Sequence, residues 1–159
     1  MDYKEIEQHF KNAETLDELL EEYKEVFDEI DFQKFKMAGK QLTNYGEAEE
    51  CLQILTGMYM SIAPVAEIIT GEKINRETAF EVNRKNELEL ENDDLPPKEQ
   101  KKIVAQLIKS EASVFVARYR TVRNVFKGYL NSCEKGINSC QSIMKQQKKE
   151  SYMTDTKQD

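Results

Sequence analysis

The chain has no tryptophan and one histidine, and its 159 residues include only three prolines, three cysteines and six glycines. Each shortage excludes something. The glycines are isolated, so no glycine-rich loop is available to cradle a phosphate. Cys51, Cys133 and Cys140 are odd in number and lack metal-ligand or redox spacing, so they read as reduced, small apolar residues. His9 stands alone with Glu5 one turn earlier and reads as a hydrogen-bonded or solvated surface residue. Scarce glycine and proline with 9% aromatics argue against a strand-rich or collagen-like chain. No run approaches the ~20 consecutive apolar residues of a membrane span, and the opening Met1-Asp2-Tyr3-Lys4-Glu5 is polar where a signal peptide is basic and then apolar. The expectation is a cytoplasmic protein with no membrane segment, in the host cytoplasm if phage-encoded. Acids are plentiful, but they fall on the wet faces of amphipathic helices, where solvated carboxylates do no acid-base work. The sequence therefore predicts no enzyme, no cofactor, no metal and no small-molecule substrate.

What the chain has in abundance is charge, 33% of residues, unevenly placed. Up to Pro97 there are 10 basic against 24 acidic residues, from Lys98 to Lys149 there are 12 against 3, and the last ten residues hold 1 against 3. An acidic body followed by a basic helix invites a nucleic-acid reading, although the two parts can also neutralise each other by packing together.

The stretch from Lys98 to Glu150 reads as one long helix or two in line. Every seventh residue from Ala105 gives Ala112, Tyr119, Phe126, Cys133 and Cys140, and from Ile108 gives Phe115, Val122, Tyr129, Gly136 and Ile143. Charge-free columns sustained over that many heptads mark a buried seam, here Phe115, Tyr119, Val122, Phe126, Tyr129, Cys133 and Cys140, that packs helices and holds subunits of a homo-oligomer together. Gly128 and Gly136 are the expected bend points. Before this helix, Tyr3, Ile6 and Phe10 suggest a short helix that must dock on something. Thr15-Leu16-Asp17-Glu18 has the form of a capping box opening an acidic helix along Leu16, Leu19, Leu20, Tyr23, Phe27, Ile30, Phe35, Ala38 and Leu42. Asn44-Tyr45-Gly46 reads as a break, and the helix that follows should kink or restart at Pro64. Residues 75–91 read as helix, with a hairpin as the alternative because Phe80, Val82, Leu88 and Leu90 alternate. The linker is 92–97, with Pro96 and Pro97 in tandem, and 151–159 reads as a disordered tail. The whole is expected to be all-α, one domain over 1–150: an antiparallel helical bundle of acidic helices 1–91 closed by the long basic helix 98–150.

Beside the seam, Arg120, Arg123 and Lys127 share a second arc of the same helix, suited to a phosphate backbone through charge and counterion release. Tyr119 and Tyr129 are potential stacking surfaces, although both hold seam positions. The opposing reading sets these cations against Glu18 to Glu29. That acidic stripe, Glu18, Glu21, Glu22, Glu25, Asp28, Glu29 and Asp31, suggests in its own right an inhibitor or adaptor that occupies a basic groove on another protein. A structural or scaffold subunit is the third reading.

From about Glu47 to Glu150 the layout resembles the UvsY type of phage recombination mediator: a helix rich in Leu and Tyr, an acid-rich connection around Glu87 to Asp94, then a closing helix with Phe115, Tyr119, Phe126 and Tyr129. The resemblance implies a small helical protein that forms a ring-like homo-oligomer, binds single-stranded DNA and helps load a recombinase, with a recombination or replication protein as partner. It carries over Arg118, Arg120, Arg123 and Lys127 as DNA-contact candidates. The acidic body departs from that pattern.

Overall fold

The computed structural model describes residues 3–10, 13–39, 42 and 44–155. They form six α-helices, α1 (Tyr3–Gln8), α2 (Ala13–Glu22), α3 (Lys24–Ala38), α4 (Tyr45–Glu91), α5 (Pro97–Phe115) and α6 (Ala117–Asp155), with no strand among the described residues. The fold is all-α. Residues 75–91 are helical within α4, and the alternation that suggested a hairpin is not a burial period: Leu88 is buried while Val82 and Leu90 are exposed. The chain packs as two compact units, the first made of Met1–Leu19 and Glu67–Asn124, the second of Leu20–Ala66 and Val125–Asp159. None of the three borders falls at the 92–97 linker, which lies inside the first unit, and α2, α4 and α6 each contribute to both units.

In the first unit the second half of α4 and α5 form an antiparallel helical hairpin. Pro97 stands at the start of α5, where its missing amide hydrogen costs no helical bond. Asn92 donates its side-chain amide to the carbonyl of Leu88, and Gln100 donates to the carbonyl of Glu89, so the turn between the helices satisfies free carbonyls at the end of α4. Higher up, Arg84 joins the pair through Glu111 at 2.7 Å. The short α1 docks as required: Ile6 and Phe10 are buried, the Phe10 ring stacks on Tyr119, and the Tyr119 hydroxyl donates to the Phe10 carbonyl at 2.9 Å. α2 begins at Ala13, two residues before the expected capping box, and the Thr15 hydroxyl instead donates to the His9 carbonyl at 2.7 Å.

In the second unit α3, the first half of α4 and most of α6 form a three-helix arrangement. Phe27 meets Phe126 and Tyr129 while Met37 lies near Cys140, so α3 and α6 run parallel; α4 opposes both, Tyr45 lying under Lys148 and Leu55 close to Gly136. The expected single acidic helix is divided at Tyr23, whose backbone (φ −94°, ψ 2°) leaves the helical pattern for one residue. Asn44, read as a break, proves to be a helix cap. Its Oδ1 accepts from the Glu47 amide at 2.9 Å, and the Glu47 carboxylate accepts from the Asn44 amide at 3.3 Å. Pro64 neither ends nor restarts α4. Part of α4 bears on the hydropathy reading: an 18-residue stretch reaches a mean hydropathy of 1.4, so α4 is long and apolar enough to cross a membrane by length and composition. α4 also supplies core residues such as Cys51, Leu55 and Ile62.

The long basic segment is two helices, and the break is at neither glycine. Gly128 and Gly136 sit inside α6, whereas Val116 (φ −94°, ψ 8°) separates α5 from α6. Gly136 has a different role: a Cβ there would lie 2.6 Å from Leu55 Cδ1 and 2.9 Å from Met37 Cε, so the missing side chain lets α6 close on its neighbours. α6 continues to Asp155, so the expected tail is helical over 151–155, and 156–159 lie outside the described residues.

Candidate nucleic-acid interface

Val116 sets the register of everything after it. It is fully buried, and Ala112 before it and Tyr119 and Val122 after it are buried as well, so the inward path steps from residue 112 to 116 to 119 to 122. Phe115, placed in the seam by the heptad count, is 45% exposed instead, because the single non-helical residue rotates α5 relative to the count. Farther along, Phe126, Cys133 and Cys140 are buried and Tyr129 is half-buried. These residues are covered by the chain itself. Among the seam residues Phe115 is the one left substantially exposed.

The four candidate cations are divided by their surroundings. In the first unit, Arg118 forms an ion pair with Asp17, both side chains being substantially exposed. Arg120 reaches only the Ser113 hydroxyl, with Nη1 and Nη2 at 3.4 and 3.5 Å. Arg123 donates to the Asn124 side-chain oxygen from Nη2 at 3.1 Å and from Nε at 3.4 Å. Among the described residues neither Arg120 nor Arg123 forms an ion pair with a carboxylate. In the second unit Lys127 is exposed, and no hydrogen bond or ion pair forms on it among the described residues. Within the first unit, Glu18 is the one member of the acidic stripe present, and it does not pair with Arg120 or Arg123. Glu18 instead lies 3.9 Å from His9, whose Nδ1 is 3.0 Å from the Thr15 carbonyl. A carbonyl only accepts, so Nδ1 carries the proton.

Neither seam tyrosine is available for stacking on a ligand. Tyr119 is covered by Phe10, with Arg76 held 5.3 Å from the ring centre. Tyr129 stacks on Phe27 at 4.1 Å and donates its hydroxyl to Asp31 at 3.0 Å. The accessible aromatic pair is elsewhere in the first unit. Phe80 of α4 and Phe115 of α5 stack at 4.6 Å with planes 18° apart, in the wall of an open cavity of about 290 Å³ also lined by Arg76, Ala79, Asn83, Arg84 and Glu87. No local pattern announced this pair, since its two rings are far apart in sequence and meet only through the antiparallel hairpin.

On α3, Phe27, Ile30 and Gln33 face inward, which turns Glu25, Asp28, Phe32 and Phe35 to the opposite side. Phe32 and Phe35 are 54% and 65% exposed, so Phe35, expected on the inner face, is outside and Gln33 has taken the inner place. Gln33 donates to Glu29 at 2.6 Å but its Oε1 is buried without a hydrogen bond.

The cysteines have no ligand geometry, and no group of three or more His, Cys, Asp or Glu among the described residues is placed to hold a metal ion. All three thiols are free and buried. Burial, then the neighbouring Cys140 thiol, pushes Cys51 from its ordinary 9.0 up to about 12. Burial, then Glu134, pushes Cys133 up to about 11. Burial first, then the neighbouring acids, also raises the Tyr23 and Tyr129 hydroxyls. An unfolded chain releases thiol protons near pH 9.0 while the fold retains them, so this contribution to stability is complete below that pH. It falls away as the pH climbs through about 11 and 12. The urea midpoint should hold steady up to pH 9.0 and fall above it, and a thiol reagent should find no cysteine in the native protein but three in urea. Rapid labelling of the native protein would contradict the burial of these thiols.

Comparison with protein-family models, with curated proteins and with solved structures gives no match.

Proposed function

We propose that this is a non-enzymatic, DNA-associated helical protein that binds single-stranded DNA along its backbone through Arg120 and Arg123, with Lys127 as a further cation. In this reading it acts in the cytoplasm as a homo-oligomer and assists the loading of a recombination or replication protein, in the manner of the UvsY type of mediator. The observation that carries the reading is the state of Arg120 and Arg123: among the described residues both guanidinium groups touch only neutral oxygens, Ser113 Oγ and Asn124 Oδ1. A guanidinium without a carboxylate keeps its charge and its forked donors for a phosphate. Arg118, already paired with Asp17, contributes less.

The test is fluorescence anisotropy of a labelled single-stranded oligonucleotide, with light scattering for the mass. Three or four phosphate contacts predict affinity falling roughly 20- to 50-fold between about 50 and 200 mM salt. Arg120→Glu with Arg123→Glu should weaken low-salt binding by about tenfold or more and flatten the salt dependence. Absence of binding at low salt would sink the reading.

A second reading is favoured by the outward stripe of α3. Glu25 and Asp28 beside exposed Phe32 and Phe35 combine negative charge with large apolar side chains on one helix face, the chemistry of a segment that docks in a basic, apolar groove of another protein. That function would be indifferent to the arginine substitutions and weakened by Glu25→Lys.

A further inference from the structure

We propose that the cavity between α4 and α5, floored by Phe80 and Phe115, receives one unpaired nucleobase of a bound single strand. This rests on the single-strand reading above and names the chemistry that reading lacks: a surface for the bases, since both seam tyrosines are occupied.

Three observations point the same way. Phe115 is 45% exposed although it stacks on Phe80, so part of an aromatic surface remains open to a second flat ring. The cavity, about 290 Å³, lies at the small end of ligand pockets and suits a single ring system better than a larger ligand. Arg76 lines it, and the buried Nε of Arg76, ion-paired with Glu72 at 3.8 Å, has no hydrogen-bond acceptor among the described residues. A buried donor left without an acceptor costs stability until a ligand supplies one, and ring nitrogens and carbonyls of bases are acceptors.

Charge decides against a phosphate as the occupant. Arg84, the other cation in the wall, is held by Glu111 at 2.7 Å, Glu87 at 2.8 Å and Glu91 at 2.9 Å. Three carboxylates around one guanidinium leave the neighbourhood negative, which repels phosphate and tolerates a neutral ring. Glu87 also lines the cavity beside Asn83, whose amide forms no hydrogen bond among the described residues. Together they offer acceptors for an exocyclic amine, which cytosine and adenine have and thymine lacks. The strand's phosphates would sit on the separate cations, Arg120 and Arg123.

The experiment titrates the full chain into two labelled probes at low salt, an oligodeoxycytidylate of roughly 16 nucleotides and an abasic phosphodiester of the same length. The expected result is roughly tenfold tighter binding of the base-bearing probe. Phe115→Leu should abolish that preference while the abasic affinity stays unchanged, and Phe115→Tyr, which keeps the ring, should retain it. Asn83→Ala, at an exposed position, should reduce the preference and serves if Phe115→Leu does not fold by circular dichroism. Equal binding of both probes by the native protein would overturn the base cavity and leave the arginine reading standing. A preference that survives both Phe115→Leu and Asn83→Ala would also overturn it, and no binding of either probe would overturn both.

Discussion

Phe126→Ala should lower the thermal midpoint by roughly 10 °C, the larger of the losses we expect from any single truncation. The Phe126 ring is completely buried in the second unit. It meets the edge of Phe27 at 5.2 Å and that of Tyr23 at 5.2 Å, and Phe27 passes the cluster on by stacking on Tyr129. Removing a ring from such a place loses its transfer free energy and leaves a space that the rigid flanking aromatics fill poorly, together about 3–5 kcal/mol. The edge-to-face contacts add to that through the ring quadrupoles, about 0.5–1.5 kcal/mol for each pair. For a chain of this size each kcal/mol is worth about 2–4 °C.

Controls separate the terms. Phe126→Leu keeps most of the volume and loses the ring contacts, so its cost should be less than half that of the alanine. A melt followed by circular dichroism reads both, and a drop of under about 2 °C for Phe126→Ala would mean that the cluster is not a core. Truncating Val114, which is 75% exposed, should leave the midpoint nearly unchanged.

The heptad count found Tyr119, Val122, Phe126, Cys133 and Cys140 because buried helix faces impose a spacing that survives in sequence. It failed at Phe115, since one non-helical residue at Val116 slips the register and no glycine or proline marks the slip. At α3 the apolar pattern invited Phe35 inward, but the direction fixed by Phe27 and Ile30 placed Gln33 there, and packing outweighed hydrophobicity at a single position. Gly136 was legible as unusual, yet composition cannot distinguish a bend from a close approach, and here the neighbours Leu55 and Met37 decide it. The cations of the candidate interface were legible as charge. Their partners were not, because Ser113 and Asp17 reach them only through the fold. The Phe80 and Phe115 cavity left no mark in the sequence at all, for the same reason.

Pro64→Ala should stabilise the protein, by about 2 kcal/mol, and raise the midpoint by roughly 4–8 °C. Pro64 is exposed and lies inside α4, which continues on both sides of it. A proline there cannot donate to the carbonyl of Met60 and its ring crowds that carbonyl, a penalty of about 3 kcal/mol against alanine in a helix interior. Part of the penalty is offset because proline also restricts the unfolded chain, by about 0.4–1 kcal/mol, which leaves the net gain above. Alanine restores the donor and the helical conformation without adding anything that must be packed, since the position faces solvent. Pro64→Gly restores the donor too but adds backbone freedom to the unfolded state, so it should gain about 1 kcal/mol less. The sign of the alanine result is the discriminating feature. A rise in the midpoint means that α4 holds its course against the proline through its buried face, where Ile62 and Val65 are covered. A fall would mean that the course of the helix at Pro64 is itself required, and that the core on either side is built to a bend that a straight helix cannot supply.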